Sequence, residues 1–246
     1  MFSQRTKNDD LVIRIKVNEA LLQAMPGQFV YCSFCRENIT GNTTVKRTEK
    51  TQQILAHVFS VNPVSHTLEL YIQASALNVT ELDKLENNTV PDYAYVSELQ
   101  GESFVLPGEN LKPILFADDA GLPSIVYLAL KISESTSVQP LVILTTESQF
   151  SFTPKPSQFV VSDLPPGMLA TCPLLEDKKI PARLISETFK PGCYEGRVEE
   201  FLEESSGFLS KNNNAIFYVS GSQGLVDILN QCASRYGLAI DYRIVN

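Results

Sequence analysis

The stretch from Ile114 to Leu130, ILFADDAGLPSIVYLAL, has residues at its centre that could take part in nucleotide binding. Two apolar segments of different period flank Asp118, Asp119 and Gly121, which predicts a strand, a tight turn and a helix. At such a turn, backbone N–H groups and the positive end of the helix dipole hold a nucleotide pyrophosphate. Only Gly121 remains of the three glycines that such turns usually contain, and a carboxylate repels a diphosphate by roughly 1 kcal/mol per close charge pair in water.

Two interpretations of this turn stay open. Asp118 and Asp119 can satisfy the free N–H groups at the start of the helix, as acids near a helix N-terminus commonly do. The turn can instead be an altered pyrophosphate-binding loop. We favour the capped helix start, with weak or altered nucleotide binding. The candidate cofactor-binding residues of the turn are Ala120, Gly121, Leu122 and Pro123.

Two later strand ends carry further candidates. Glu147 follows the apolar strand predicted from Pro140 to Thr146, and Ser220, Gly221 and Ser222 follow the apolar segment AIFYV. Ligands of open α/β sheets bind beyond the carboxyl ends of the strands. Glu147 can accept a hydrogen bond from a ribose hydroxyl, and no arginine flanks it to bind a 2′-phosphate, which favours NADH over NADPH. The alternative is that Glu147 is a solvated acid.

The elements that would position these residues change in character near Pro107 and Gly108. Before this point, the pattern predicts about six short strands, typical of a small antiparallel β-barrel. It also predicts a long hairpin loop or mobile segment over 36–53 and a short helix that begins at Thr80. After this point, strand and helix patterns alternate, which favours a parallel sheet. We therefore predict an N-terminal antiparallel β-barrel over 1–107 and an α/β parallel-sheet domain over 108–246.

Composition restricts the class of protein. The chain has 246 residues, 43% hydrophobic and 20% charged, with a formal net charge of −8. This charge disfavours binding to nucleic acid or to anionic membranes, and no apolar segment is long enough to insert into a bilayer. The segment MFSQRTKNDD lacks the apolar region of a signal peptide, and five cysteines is an odd number, so we expect a cytoplasmic protein with free thiols. Cys32 and Cys35 lack a second pair for a metal site, and we expect none.

The order of the two domains and several motifs resemble the ferredoxin–NADP reductase family over nearly the whole chain. PGQFV (Pro26 to Val30) is similar to the turn into an early barrel strand, and HVFS (His57 to Ser60) lies where the family has Arg-x-Tyr-Ser or Arg-x-Phe-Ser. FADDAGLPS and YVSGSQGLVDIL take the places of its Gly-Gly-x-Gly-x-x-Pro and Cys-Gly-Pro-x-x-Met segments. PLLEDKKIPARLIS and PGCYEGRV look like the electron-transfer subunit of dihydroorotate dehydrogenase.

The resemblance implies that 1–107 is a flavin-binding-type β-barrel and that 108–246 is an NAD-binding-type α/β domain. It also implies a flavin site at His57, Val58, Phe59 and Ser60. In the family, an arginine at the position of His57 binds the flavin phosphate, the aromatic residue packs on the ring system and the hydroxyl lies near N5. Histidine has an ordinary pKa of about 6.5 and is mostly uncharged at neutral pH, so we expect weaker flavin binding. Strand alternation alone gives another interpretation, with Phe59 in the core and His57 on the surface.

The resemblance implies a flavin-dependent NAD(P)H oxidoreductase that passes hydride from NADH to FAD or FMN and electrons to a redox partner protein. A family cysteine near the nicotinamide is replaced by Ser220. Only Cys232 lies near the C-terminal end, so we expect no iron–sulfur cluster. Branches of the siderophore-interacting type tolerate acids in the first turn. The alternative is a non-catalytic scaffold or binding protein of the same fold, which the several altered motifs favour.

Overall fold

The chain divides into two compact units, the β unit (Met1–Gly101) and the α/β unit (Glu102–Asn246). The computed structural model describes residues 2–35, 38–40, 43–45, 53–77 and 93–245. The helix predicted from Thr80 lies outside these residues. Among the described residues, no helix is long and apolar enough to cross a membrane.

The β unit contains one six-stranded sheet in which every neighbouring pair is antiparallel, in the order β1-β2-β7-β6-β3-β8. A separate hairpin, β4-β5, lies within the polar stretch 36–53. Two short 3₁₀ turns span Leu21–Gln23 and Ala74–Ala76. The strands are β1 (Phe2–Arg5), β2 (Leu11–Lys16), β3 (Phe29–Cys35), β4 (Asn38–Thr40), β5 (Thr43–Val45), β6 (Ile54–Asn62), β7 (Thr67–Ile72) and β8 (Tyr93–Val96).

The α/β unit contains a six-stranded sheet in which every pair is parallel, in the order β14-β13-β10-β9-β15-β16, and a small β11-β12 pair. The strands are β9 (Lys112–Ala117), β10 (Leu141–Thr146), β11 (Lys155–Pro156), β12 (Ala170–Thr171), β13 (Ala182–Ser186), β14 (Tyr194–Glu195), β15 (Ala215–Gly221) and β16 (Ala239–Ile244). The helices are α1 (Leu122–Ser135), α2 (Pro173–Asp177), α3 (Val198–Glu204), α4 (Ser206–Lys211) and α5 (Gln223–Tyr236). The predicted fold class is confirmed.

The central strands of this sheet are apolar because both of their faces are covered. Helices α3, α4 and α5 pack against the sheet in one core cluster, in which the rings of Phe116 on β9 and Phe217 on β15 meet edge to face at 5.1 Å. Helix α1 has proline in its first turn, where no backbone donor is lost, and most of its residues are buried. Helix α5 ends at Gly237, whose φ of 66° suits a residue without a Cβ atom.

The segment 102–107 is fastened to the α/β unit. The guanidinium of Arg243 donates to the carbonyls of Glu102 and Ser103 and lies over the ring of Phe104, 4.6 Å from its centroid. The hydroxyl of Tyr218 donates to the carbonyl of Val105 at 2.7 Å. These contacts explain why the α/β unit begins at residue 102, whereas the sequence pattern placed the boundary between residues 107 and 108.

Candidate functional site

Three turns that follow parallel strands meet at one edge of the α/β unit. Because β9, β10 and β15 are neighbours or near neighbours in one parallel sheet, their carboxyl ends share this edge. A cleft of about 430 Å³ opens there. Its lining residues are Asp118, Asp119, Ala120, Thr145, Thr146, Glu147, Ser148, Glu187, Arg197, Val198, Glu199, Ser222, Gly224, Leu225 and Ile228. Three predicted site residues, Ala120, Glu147 and Ser222, are therefore brought together around it.

The carboxylate of Asp118 joins two of these turns. Its Oδ1 accepts hydrogen bonds from the N–H groups of Ala120 and Gly121, both at 3.1 Å. Its Oδ2 accepts from the N–H of Ser222 at 2.7 Å. Gly121 is the N-cap of α1 and Ser222 is the N-cap of α5, so one carboxylate satisfies donors at the start of two helices. We call Asp118, Ala120, Gly121, Gly221 and Ser222 the Asp118 clasp.

Two glycines of the clasp are required by close approach. A Cβ atom on Gly121 would lie 1.8 Å from the carbonyl oxygen of Ser220, so the two turns pack backbone against backbone. A Cβ atom on Gly221 would lie 2.5 Å from Oδ1 of Asp118. Gly221 also has a φ of 156°, which side chains disfavour. These two positions make room for the contact between the turns and for the carboxylate between them.

The remaining predicted residues of this edge are less accessible. Leu122 and Pro123 open helix α1 and are buried. Ser220 has an exposed fraction of 0%, and its hydroxyl has no hydrogen-bond partner among the described residues. Ser222 uses its own hydroxyl to cap α5 by accepting from the N–H of Leu225 at 3.4 Å.

The second acid of the turn is held by a different strand. Oδ2 of Asp119 accepts a hydrogen bond from the hydroxyl of Thr146, at the end of β10, at 2.7 Å. The same hydroxyl accepts from the N–H of Ser148 at 3.3 Å. Asp119 and Glu147 are both exposed. The turn after β9 is therefore hydrogen-bonded on both sides: Asp118 accepts from Ser222, and Asp119 accepts from Thr146.

The cleft is acidic. Its described lining contains five carboxylates and one guanidinium, a formal charge of −4. The guanidinium of Arg197 lies 3.7 Å from Glu187 and 3.8 Å from Glu199, and its side chain is 65% exposed. Such a field raises the local concentration of cations and lowers that of diphosphates. Among the described residues, no group of three or more His, Cys, Asp or Glu is placed to hold a metal ion.

Sequence reasoning did not identify Glu187, Arg197 and Glu199. Glu187 directly follows β13, so the strand-end argument that selected Glu147 would also have selected it. Arg197 and Glu199 lie at the start of α3, and no local motif marks a cleft there. Their proximity depends on how α3 packs beside α5, which is a tertiary feature.

The predicted flavin strand is β6, and His57 on it is buried. Its exposed fraction is 5%, and burial lowers the pKa of its imidazole to about 4. Neither ring nitrogen has a hydrogen-bond partner among the described residues. His57 is paired across the sheet with Phe29 on one side and Tyr71 on the other, and the Phe29 ring centroid lies 6.4 Å away. The interpretation that put His57 on the surface is therefore wrong.

The next residues of β6 depart from regular alternation. Val58 is buried, and the register with β7 shifts between Val58 and Ser60, so Phe59 lies at a bulge. Phe59 is half-buried rather than in the core, with its ring 5.9 Å from that of Tyr71. Bulges bend a strand and redirect its side chains. The hydroxyl of Ser60 donates to Oε2 of Glu69 at 2.6 Å.

No protein-family model and no curated protein matches the sequence. Solved structures do match, among them the ferredoxin reductase in carbazole 1,9a-dioxygenase, with a TM-score of 0.67 and 15% identity over 99% of this chain and 67% of that one. An NADH-dependent reduced ferredoxin-NADP oxidoreductase matches with a TM-score of 0.63 and 13% identity over 98% of this chain and 73% of that one.

A third match is the flavohem-like FAD/NAD-binding domain of nitric oxide dioxygenase from Vibrio cholerae O1 biovar El Tor. Its TM-score is 0.59, with 14% identity over 99% of this chain and 95% of that domain. These matches extend over both units of the chain. The protein has the ferredoxin reductase-like fold, an antiparallel β unit followed by a parallel α/β unit.

Proposed function

We propose that the protein is a flavin-binding oxidoreductase that takes hydride from NADH and passes electrons to a partner protein. The observation that carries the proposal is the succession of an antiparallel β unit and a parallel α/β unit with a 430 Å³ cleft at its carboxyl edge. Solved structures with this fold include a ferredoxin reductase and an FAD/NAD-binding domain. We propose a redox protein as the partner. The flavin is FAD or FMN. The resemblance to the electron-transfer subunit of dihydroorotate dehydrogenase stays a prediction.

The side chains of β6 fit the ring system of a flavin. A bound flavin supplies the redox chemistry, and the protein binds and orients it. Phe59 is half-buried at the bulge and offers a flat apolar ring. The hydroxyl of Ser60 donates its hydrogen bond to Glu69, so its oxygen can still accept one.

His57 does not fit the role of a phosphate ligand. A buried imidazole with a pKa of about 4 carries no charge at neutral pH, so it gives no cationic contact to a flavin phosphate. Other groups must hold that phosphate. We therefore propose that flavin affinity depends mainly on the ring contacts of Phe59.

A second candidate function, a non-catalytic binding protein of the same fold, is favoured by the Asp118 clasp. The N–H groups of Ala120, Gly121 and Ser222 are already hydrogen-bonded to a carboxylate. The diphosphate of NADH does not fit this arrangement, and the cleft carries a formal charge of −4. A protein that binds flavin weakly and NADH hardly at all would serve as a scaffold.

An absorbance titration separates the two candidates. The purified chain is mixed with FAD or FMN, freed of unbound flavin and then given NADH without oxygen. Retained flavin that NADH bleaches supports the oxidoreductase. Retained flavin that dithionite bleaches but NADH does not contradicts the proposed hydride donor, and a chain that retains no flavin contradicts the proposal as a whole.

A pair of variants shows whether the flavin is bound where we propose. Phe59→Ala removes the proposed ring contact and should weaken flavin binding about tenfold, the order of one aromatic stacking interaction. Phe189→Ala is the matched control, because Phe189 is 72% exposed in the α/β unit. Equal flavin affinity of the two variants would place the flavin elsewhere.

A further inference from the structure

We propose that Asp118 is an internal anion that occupies the phosphate-binding amides of the α/β unit and so excludes diphosphate-bearing ligands from this part of the cleft. Asp118 is then a specificity-determining residue. The proposal does not rest on NADH as the hydride donor: if it holds, either the diphosphate of NADH lies away from these amides or NADH does not bind, and the non-catalytic binding protein is then favoured. Its test uses neither flavin nor turnover, so the two proposals can fail separately.

The first argument is the complete use of the carboxylate. Both oxygens of Asp118 accept hydrogen bonds from main-chain N–H groups, two at 3.1 Å and one at 2.7 Å. An anion held by several N–H groups at the start of helices is the arrangement in which proteins bind phosphate. Here the anion belongs to the protein itself. It is held at high effective concentration because it is attached to the same turn.

The second argument is that the clasp joins two turns far apart in sequence. A carboxylate that only capped helix α1 would need the N–H groups of Ala120 and Gly121 and no others. Asp118 also reaches the N-cap of α5, 104 positions later, and Gly221 leaves room for it there. The positive ends of α1 and α5 therefore act on the same carboxylate. A second anion would have to displace Asp118 from both helices.

The third argument is the charge beside the clasp. Asp119, Glu147, Glu187 and Glu199 line the same cleft as Asp118. Arg197 is within ion-pair distance of two of these carboxylates. A diphosphate that displaced Asp118 would leave this carboxylate unsatisfied among like charges, which is unfavourable. The cleft is therefore suited to ligands or ligand parts without phosphate.

The test measures the affinity of the full chain for ADP-ribose and inorganic pyrophosphate by isothermal titration calorimetry. Asp118→Ala frees the three N–H groups and should tighten ADP-ribose binding at least about tenfold. Asp118→Asn keeps one oxygen for the α1 amides and removes the charge, so a smaller gain is expected. Circular dichroism and a thermal melt confirm that each variant is folded.

Asp119→Asn is the matched control. It removes one carboxylate from the next position of the same cleft but leaves the three N–H groups occupied. Only the general electrostatic gain should remain, at most about fivefold for one close charge pair. Equal gains from Asp118→Asn, Asp118→Ala and Asp119→Asn would overturn the proposal. An Asp118→Ala affinity no tighter than wild type would also overturn it.

If both Asp118 variants fail to fold, a measurement on the wild-type chain tests whether Asp118 keeps diphosphates away from the clasp amides. In ¹⁵N–¹H NMR spectra, the amide signals of Ala120, Gly121 and Ser222 should not move when pyrophosphate is added at millimolar concentration. The amide signals of Lys178 and Lys179, two adjacent exposed lysines, serve as the reference for unspecific ion effects. Saturable shifts of the three clasp amides in the wild type would show that pyrophosphate reaches them, and the proposal would be wrong.

Discussion

Asp118 and His57 are polar residues on the two predicted cofactor-binding segments, one in each unit, and their surroundings are opposite. The carboxylate of Asp118 accepts three main-chain hydrogen bonds. The imidazole of His57 is buried, and both of its nitrogens lack partners among the described residues. The polar group of a predicted cofactor-binding segment is thus satisfied by main-chain donors in one unit and enclosed by the core without partners in the other.

The two alterations differ in energy. A side-chain acceptor for the free N–H groups at a helix start stabilises the fold by about 0.5–2 kcal/mol. A buried polar group without partners costs about 1–3 kcal/mol. Asp118 therefore strengthens the α/β unit, whereas His57 weakens the β unit. The variants below test this contrast in order of decreasing effect.

Gly121→Ala should have the largest effect on stability. Its Cβ atom would lie 1.8 Å from the carbonyl oxygen of Ser220, which belongs to the main chain and cannot rotate away. We expect the free energy of unfolding to fall by about 3 kcal/mol or more, as for severe overpacking. Urea unfolding followed by circular dichroism measures it.

Gly224→Ala is the control for the glycine substitution. Gly224 lies in the first turn of α5, and a Cβ atom there would meet nothing within 4 Å. We expect an unchanged or slightly higher stability, by up to about 1 kcal/mol, because alanine favours helix. If both substitutions lower the free energy of unfolding by similar amounts, the close contact of Gly121 with the carbonyl of Ser220 is not the cause of the loss.

His57→Leu should remove a pH dependence of about 3 kcal/mol. Folding lowers the pKa of His57 from 6.5 to about 4, so below pH 6.5 the unfolded chain takes up a proton that the folded chain refuses. The wild type should therefore lose stability as the pH falls from 6.5 to 4. The variant should lack this loss, and at pH 7.5 it should be at least as stable as the wild type.

Urea midpoints of the wild type and His57→Leu at pH 7.5 and pH 5 give the comparison, and about 2 of the 3 kcal/mol should be lost between these two pH values. His66→Asn is the control, since His66 is exposed and asparagine tolerates its φ of 51°. This variant should keep the pH dependence of the wild type. If His57→Leu keeps the pH dependence as well, other groups cause the acid sensitivity, and His57 is not a buried imidazole without hydrogen-bond partners.

Asp118→Ala should reduce stability by about 2 kcal/mol, because three N–H donors at two helix starts lose their acceptor. Asp119→Ala removes one acceptor of the Thr146 hydroxyl, which keeps the carbonyl of Gln149 at 3.2 Å, and should cost about 0.5–1 kcal/mol. Both are measured by urea unfolding at pH 7.5. A loss for Asp119→Ala equal to that for Asp118→Ala would mean that the clasp contributes no more than an ordinary turn contact.

The regular elements around the clasp were predictable from sequence. The apolar periodicity predicted a strand, a turn and a helix from Ile114 onward and a strand over 140–146, and the structure has β9 (Lys112–Ala117), α1 (Leu122–Ser135) and β10 (Leu141–Thr146). Proline in the first turn of α1 and Gly237 after α5 are local signals of a helix start and a helix end. These signals are local, because each depends on residues within one or two turns of chain.

The contacts that define the candidate site were not predictable in this way. Acid capping of α1 was expected, but the bond from Asp118 to Ser222 joins positions 104 apart and requires the packing of β9 against β15. The bulge at Phe59 breaks the alternation on which the core assignment of that residue depended. The burial of His57 follows from the strands beside it. Each of these features is decided by tertiary pairing rather than by the local pattern.

Ser60→Ala should have the smallest effect. The variant removes the hydrogen bond from the Ser60 hydroxyl to Glu69, which keeps its ion pair with Arg14, so the loss should be about 1 kcal/mol. Ser65→Ala, at an exposed hydroxyl, should change stability by less than about 0.5 kcal/mol. Glu69 stays paired in this variant. The stability change of Ser60→Ala can therefore be compared with that of His57→Leu, which removes an imidazole without partners from the same strand. A gain in stability for Ser60→Ala would mean that the hydrogen bond to Glu69 destabilises the fold, as His57 does. The difference between Asp118 and His57 would then reflect the unit in which each lies and not whether its polar atoms have hydrogen-bond partners.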